Sequence, residues 1–267
     1  MLKALVAGAA GKMGGKIIQM IDTSQDVELA GAFERPDHPS VGKDAGEVAG
    51  VGKRGVIISG DLSEIIEGGE VVIDFTAPDA TLRNIELCAQ RRRPIVIGTT
   101  GIGDEGIRKI EEYSKDIACV MAPNMSVGVN VVFKIVREMA LILGKDFDIE
   151  ILEIHHNLKK DAPSGTALKI GKIIAEALDR DFDKVAVFER KGFTGKRSHE
   201  EIGIQSLRAG DITGDHMILF GGTGERIELI HRSHGRENFA KGALMAAKWV
   251  VQRSPGLYDM WDVLGLR

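Results

Sequence analysis

Cysteine is nearly absent: Cys88 and Cys119 are the only two in 267 residues, and they lack metal-ligand spacing. They read as small buried hydrophobes in a reducing compartment. Aromatic bulk is scarce too, with two tryptophans and two tyrosines against 33 glycines, the balance of an α/β chain with many tight turns. No excess of positive charge is present. The formal net charge of -4 argues against a bulk grip on nucleic acid or anionic lipid, so neither nucleic acid nor membrane is an expected partner. No apolar run approaches the length of a membrane span. The opening Met1-Leu2-Lys3-Ala4-Leu5-Val6-Ala7-Gly8 is too short before glycine for a secretory segment and reads as a first strand. A cytoplasmic location is expected by default.

What is present is ordinary for a soluble globular protein: 43% hydrophobic and 28% charged residues, and length enough for two domains. Compact β-branched runs at 2–7, 27–33, 56–58, 71–75, 95–97 and 117–120 predict strands. Helical patterns at 12–21, 79–90 and 104–114 separate them, and residues 36–53 read as a loop. Near-continuous apolar strands alternating with helices imply a parallel sheet covered on both faces. After Pro123 the rhythm changes. A long helix is expected over 126–143, with Val127, Val131, Ile135, Met139 and Ile142 on one face. A strand at 148–155, a helix at 164–178 and strands at 202–207, 216–220 and 226–231 predict an antiparallel or mixed sheet in a second domain. A last helix over 238–252 carries a small-residue face, Ala240, Ala243 and Ala247, suited to close packing.

Gly8-Ala9-Ala10-Gly11-Lys12-Met13-Gly14 follows the first strand and opens a helix. Its G-x-x-G-x-x-G spacing departs from the usual dinucleotide fingerprint but keeps the physical content. A glycine at the strand end allows a tight turn, Gly11 lets the backbone approach a pyrophosphate, and Gly14 permits close packing. The helix N-terminus offers free N–H groups and a positive dipole end. An ordinary glycine-rich turn has the same letters. Glu34 and Arg35, just past the second strand, add weight: a carboxylate there accepts ribose hydroxyls and favours NAD, whereas a guanidinium pairs with a 2′-phosphate and admits NADP. Gly98, Thr99 and Thr100 follow one strand, and Ala122, Pro123, Asn124 and Met125 another. In an open parallel sheet both peptides stand where the nicotinamide half would lie.

The most informative run is 153–168, EIHHNLKKDAPSGTAL. Two imidazoles, His155 and His156, and two ammonium groups, Lys159 and Lys160, crowd into six residues before a helix N-terminus. The Gly165 and Thr166 N–H groups there add directed donors, and Gly165 leaves a ligand close access to the backbone. Adjacent histidines point to opposite sides of an extended strand and take different roles. A zinc site is not expected, for want of an i,i+4 histidine or a cysteine set. Packing histidines, solvated lysines and a helix cap at Asp161 or Ser164 are the plainer alternatives. Chemistry alone gives an anion site with a candidate proton donor.

This run resembles the signature of the dihydrodipicolinate reductase family, approximately E-x-H-H-x-x-K-x-D-A-P-S-G-T-A, and the likeness extends over almost the whole chain. It includes Gly8 to Gly14, Ile73-Asp74-Phe75-Thr76, Gly98-Thr99-Thr100-Gly101, Asn124 to Asn130, Arg208-Ala209-Gly210-Asp211 and Gly256 to Met260. The resemblance implies a Rossmann-like dinucleotide-binding domain over 1–125, completed by 237–267, and a substrate-binding and oligomerisation domain of α+β type over 126–236. It implies reduction by NADH or NADPH of 4-hydroxy-tetrahydrodipicolinate, a small dicarboxylate, to tetrahydrodipicolinate on the route to diaminopimelate and lysine. His155 would exchange the proton, Lys159 would be a second catalytic cation, and His156, Gly165 and Thr166 would hold carboxylates. Gly8, Ala9, Ala10, Gly11, Lys12, Met13, Glu34, Arg35, Gly98, Thr99, Thr100, Ala122, Pro123, Asn124 and Met125 would hold the dinucleotide. A homotetramer built through the second domain's sheet belongs to the same expectation, and the glycines around Ser126 and Arg236 mark expected hinges for closure of the two domains over the ligands. Two rivals remain: an aspartate dehydrogenase-like enzyme acting on amino or imino acids, and a non-catalytic dinucleotide sensor. A sensor has no need of the His155–Lys159 cluster.

Overall fold

Alternate residues of β1 (Leu2–Ala7) part to opposite faces of one sheet: Ala4 and Val6 enter one apolar core, Leu5 and Ala7 another. That division recurs along the sheet, because every other side chain of a strand faces the same way. The computed structural model describes residues 1–144 and 146–267 and divides into two units, Met1–Val127 with Arg236–Arg267, and Gly128–Gly235.

The first unit runs β1, α1 (Lys12–Asp22), β2 (Val27–Phe33), α2 (Ala45–Ala49), β3 (Ile58–Ser59), β4 (Val71–Asp74), α3 (Pro78–Gln90), β5 (Ile95–Ile97), α4 (Asp104–Tyr113) and β6 (Ala118–Met121). The second contains α5 (Val127–Leu143, save its first residue), β7 (Asp148–His155), α6 (Gly165–Ala177), α7 (Phe182–Val185), β8 (Ala186–Val187), β9 (Ile202–Arg208), β10 (Gly214–Gly221) and β11 (Arg226–Ser233). The chain then returns to the first unit with α8 (Glu237–Val250), β12 (Gly256–Tyr258) and α9 (Met260–Leu264). Among the described residues no helix is long and apolar enough to cross a membrane.

In the first unit seven strands lie in the order β12-β6-β5-β4-β1-β2-β3, all parallel. One core joins Ile17 and Ile18 of α1 and Ala240, Ala243 and Ala247 of α8 to the sheet; the other joins Ile85 and Cys88 of α3 and Ile110 of α4. Both cysteines are free and buried, and burial pushes their thiols up, as expected of small hydrophobes. The small-residue face of α8 is fully buried, with Ala240, Ala243 and Ala247 in the core, and on another side of the helix a Cβ on Gly242 would meet the Met125 carbonyl oxygen.

The second unit holds a mixed sheet, β11-β10-β7-β9-β8, in which β10 is antiparallel to β7 and β11 while β9 is parallel to β7 and β8. Along β7, Ile149, Ile151 and Glu153 are fully buried and alternate with partly exposed neighbours.

Three expectations need correction. The loop over 36–53 contains α2, a single turn too short for periodicity to reveal. The Asp44 carboxylate caps it by accepting from the Gly46 and Glu47 N–H groups, and a left-handed Gly50 closes it. The strand at 56–58 shrinks to Ile58–Ser59, with Ile57 exposed. On α5 the face carrying Val131, Ile135 and Ile142 lies outward, whereas Val129, Val132, Phe133, Val136 and Ala140 are buried. That helix is apolar nearly all round, so its hydrophobic period does not select a buried face.

Candidate active site

In the first unit the strand-to-helix turn is set by two glycines. Gly8 has a φ of 63°, a left-handed conformation that other residues adopt at a cost. At Gly14 a Cβ would stand 2.1 Å from the Gly8 carbonyl oxygen, so only glycine lets α1 fold back this tightly. Gly11 is the N-cap of α1, and the N–H groups of its first turn have no intrahelical partner. Glu34 reaches back from the end of β2 and accepts the Ala10 N–H at 3.0 Å, so the turn itself fixes the carboxylate. Beside it lies a cavity of about 530 Å³, within the usual range of roughly 300–1,000 Å³ for small-molecule sites.

Gly8, Gly11, Glu34 and Arg35 line this cavity together with Thr76 and Arg83. The other expected dinucleotide contacts do not. Ala9 and Met125 are buried, and the Ala9 N–H is already donated to the Phe33 carbonyl oxygen at 3.2 Å. Gly98, Thr99, Thr100, Ala122, Pro123 and Asn124 stand beyond β5 and β6, whose carboxyl ends share an edge with those of β4 and β1. Lys12 and Met13 lie in the first turn of α1. Thr99 Oγ1 accepts from Thr76 N (3.0 Å) and from Thr81 Oγ1 (2.8 Å). Asp74, fully buried, accepts from Thr76 Oγ1 (2.6 Å) and Asn84 Nδ2 (2.8 Å). Burial raises its pKa against the pull of these bonds. This network ties the ends of β4 and β5 together. Arg83, from the exposed side of α3, gave no motif in sequence.

In the second unit the apolar row of β7 ends in charge. Glu153 occupies a core position with a side chain 0% exposed, and His155 follows two residues later on the same face. His155 Nδ1 lies 2.6 Å from Glu153 Oε2. Arg208, paired with His155 across β9, donates from Nη1 to Glu153 Oε2 (2.8 Å) and from Nη2 to Oε1 (2.9 Å). The Ser164 N–H supplies a further donor at 3.0 Å. Burial alone would raise the Glu153 pKa; the Arg208 and His155 bonds overcome it and bring it to about 2, so the carboxylate is ionised at neutral pH. Burial lowers the His155 pKa, opposed by Glu153 and reinforced by the Lys159 and Arg208 charges.

The loop after β7 carries the remaining predicted groups. Lys159 Nζ lies 2.9 and 2.8 Å from the two Asp161 carboxylate oxygens. His156 stands outside the Glu153 pairing, and its Nδ1 is buried without a hydrogen-bond partner among the described residues. Ser164 caps α6, its Oγ accepting from Ala167 N at 3.2 Å and lying 3.0 Å from His216 Nε2. Gly165 and Thr166 form the first turn of α6, and the space beside Gly165 is open. Glu153, Arg208 and His216 were not singled out as site residues. Glu153 alone left a usable signal, a carboxylate in the buried register of Ile149 and Ile151.

Comparison with known proteins agrees over the whole length. Residues 2–125 match the family described as dihydrodipicolinate reductase, N-terminus, and residues 128–264 the family described as dihydrodipicolinate reductase, C-terminus. The 4-hydroxy-tetrahydrodipicolinate reductase of Syntrophus aciditrophicus is 56% identical over 267 residues, covering 100% of both chains. That of Citrifermentans bemidjiense is 54% identical over the same span, again covering 100% of both. Among solved structures, the dipicolinate-bound dihydrodipicolinate reductase from Paenisporosarcina sp. TG-14 superposes with a TM-score of 0.79 at 27% identity, covering 98% of each chain.

Proposed function

The chain belongs to the dihydrodipicolinate reductase family, and from that membership we propose the reaction it performs and the residues that carry it. It is a nicotinamide-dependent oxidoreductase of diaminopimelate and lysine biosynthesis, reducing 4-hydroxy-tetrahydrodipicolinate, by way of dihydrodipicolinate, to tetrahydrodipicolinate. The observation that carries the residue assignments is His155 tied to a fully buried carboxylate beside a basic loop and a helix N-terminus.

The first unit fits a dinucleotide. The glycine turn has no room for a Cβ at Gly14, and the cavity beside Glu34 suits the adenosine half. Glu34 would accept a ribose hydroxyl, while Arg35 and Arg83, on the same cavity, supply charge for a 2′-phosphate. Both NADH and NADPH are therefore proposed as cofactors. The residues from Gly8 to Met13 would hold the pyrophosphate, and Gly98 to Thr100 with Ala122 to Met125 the nicotinamide end. When bound, the cofactor supplies a hydride to ring carbon C4 of the substrate.

The residues of the second unit do the rest. Lys159 places positive charge against the substrate carboxylates and the electrons pushed toward the ring nitrogen. His156 and the Gly165 and Thr166 N–H groups orient the carboxylates. His155 delivers the proton to C3 of the resulting enamine. In the free protein its lowered pKa keeps the imidazole mainly neutral at pH 7. A dicarboxylate brings two negative charges toward it, and these favour uptake of the proton that is then handed on.

The outer face of the five-stranded sheet exposes Leu207 and Ile230, and we propose that copies assemble through it as a homotetramer. A cytoplasmic location accords with the two buried free thiols. The test of function is a coupled assay. NAD(P)H oxidation is followed after dihydrodipicolinate synthase and its two substrates are added. Oxidation dependent on the synthase supports the proposal. No oxidation there, with turnover on oxaloacetate and ammonia, would place the chain with aspartate dehydrogenases.

A further inference from the structure

A buried Arg–Glu pair is in general a weak source of stability, since desolvating both charges roughly offsets their attraction. Glu153 nevertheless sits where β7 calls for an apolar side chain, in line with Ile149 and Ile151. Its carboxylate is fully enclosed, so it cannot touch substrate or exchange a proton with it. It faces His155 at 2.6 Å and is gripped from the other side by both Nη atoms of Arg208. Arg208 Nη2 also donates to the Asp161 carbonyl oxygen at 2.6 Å, in the loop that carries Lys159. One guanidinium thereby ties the imidazole and the ammonium to a single frame.

We infer that Glu153, clamped by Arg208, is a positioning residue that fixes the proton of His155 on Nδ1 and assigns the transfer of the catalytic proton to Nε2. An ionised carboxylate only accepts, so the nitrogen facing it must carry hydrogen in the neutral and the charged imidazole alike. Nε2 is then bare in the neutral ring and protonated in the charged one. On that side the Gly214 backbone approaches the ring; a Cβ there would stand 3.0 Å from Nε2. His216 meets the same ring edge-on at 5.4 Å between centroids and limits its rotation. This inference rests on His155 being the proton donor.

The charged and titratable groups around His155 are Glu153 on its own strand, Arg208 on β9, His216 on β10 and Lys159 in the loop. Glu153 is the one that favours the imidazolium; removing its charge leaves the cations to oppose it.

The test begins with the intact wild-type protein labelled with 15N at histidine. The neutral His155 ring is expected to show a protonated Nδ1 and a bare Nε2; a proton on Nε2 overturns the inference without any variant. In Glu153→Gln, kcat is expected to fall on the order of 10²–10⁴-fold with KM little changed. The fall of kcat with rising pH should begin at lower pH, and Glu153→Asp should recover part of the rate. Wild-type kcat in a folded Glu153→Gln protein would overturn the positioning role. Normal turnover of His155→Gln, with the expected tautomer still present, would instead overturn the reading of His155 as donor, and the positioning role with it.

Discussion

Lys159 is held before any substrate arrives, its ammonium on both oxygens of Asp161 and its side chain 19% exposed. Replacing it with methionine removes the cation and also leaves the Asp161 carboxylate facing an incoming dicarboxylate. Lys159→Met is therefore expected to lower kcat and raise KM together, read from steady-state kinetics. A change in KM alone would make it a binding residue only. The His155–Lys159 pair was legible in sequence because its groups fall within a few residues of one another. Arg208 was not, since it lies 55 residues from Glu153 and meets it only through the pairing of β7 with β9. Arg83 and Arg35 share a cavity for the same kind of reason, one on α3 and the other after β2.

Between β7, β10 and the cap of α6, His216 is buried and bonded to Ser164 Oγ. Burial, first, and then the charge of His155 bring its pKa to about 4; Glu153 opposes this, while His231 and Lys159 reinforce it. The ordinary imidazole value is about 6.5. Between those two values the unfolded chain binds a proton that the folded one excludes, so stability falls as pH drops from about 6.5 to about 4. The full effect is roughly 3 kcal/mol. Glu153 acts in the next window down: its contribution is complete above about 4.5 and is lost as pH falls toward about 2. Urea melts between pH 7 and pH 4.5 should show the wild type losing more stability than His216→Asn, and parallel losses would contradict this. At this scale β1, β2, β4, β5, β6, β7, β9, β10 and β11 and the helices α1, α3, α4, α6 and α8 were legible, because each carries a strong period or a β-branched run, whereas the two-residue β3 and β8 are too short to show either. The one-turn α2 depends on the Asp44 cap, and the buried face of α5 on packing that its sequence does not rank.

Over the whole molecule, the order of parallel strands followed by a mixed sheet was legible from the change of rhythm after Pro123. The return of the chain to the first sheet as β12 was not, since Gly256–Tyr258 is only three residues long. Assembly is the property least written in local pattern. If copies meet through the outer face of the five-stranded sheet, Leu207→Glu should shift the mass seen by light scattering from a tetramer to smaller species. A mass unaffected by that charge would move the interface elsewhere. Proton delivery to C3 follows hydride transfer, so the decisive measurement on His155→Gln is steady-state turnover to tetrahydrodipicolinate, which includes the protonation step. Its kcat is expected to fall by about 10²–10⁴-fold with cofactor affinity unchanged; near-normal turnover in the folded variant would remove His155 from the mechanism.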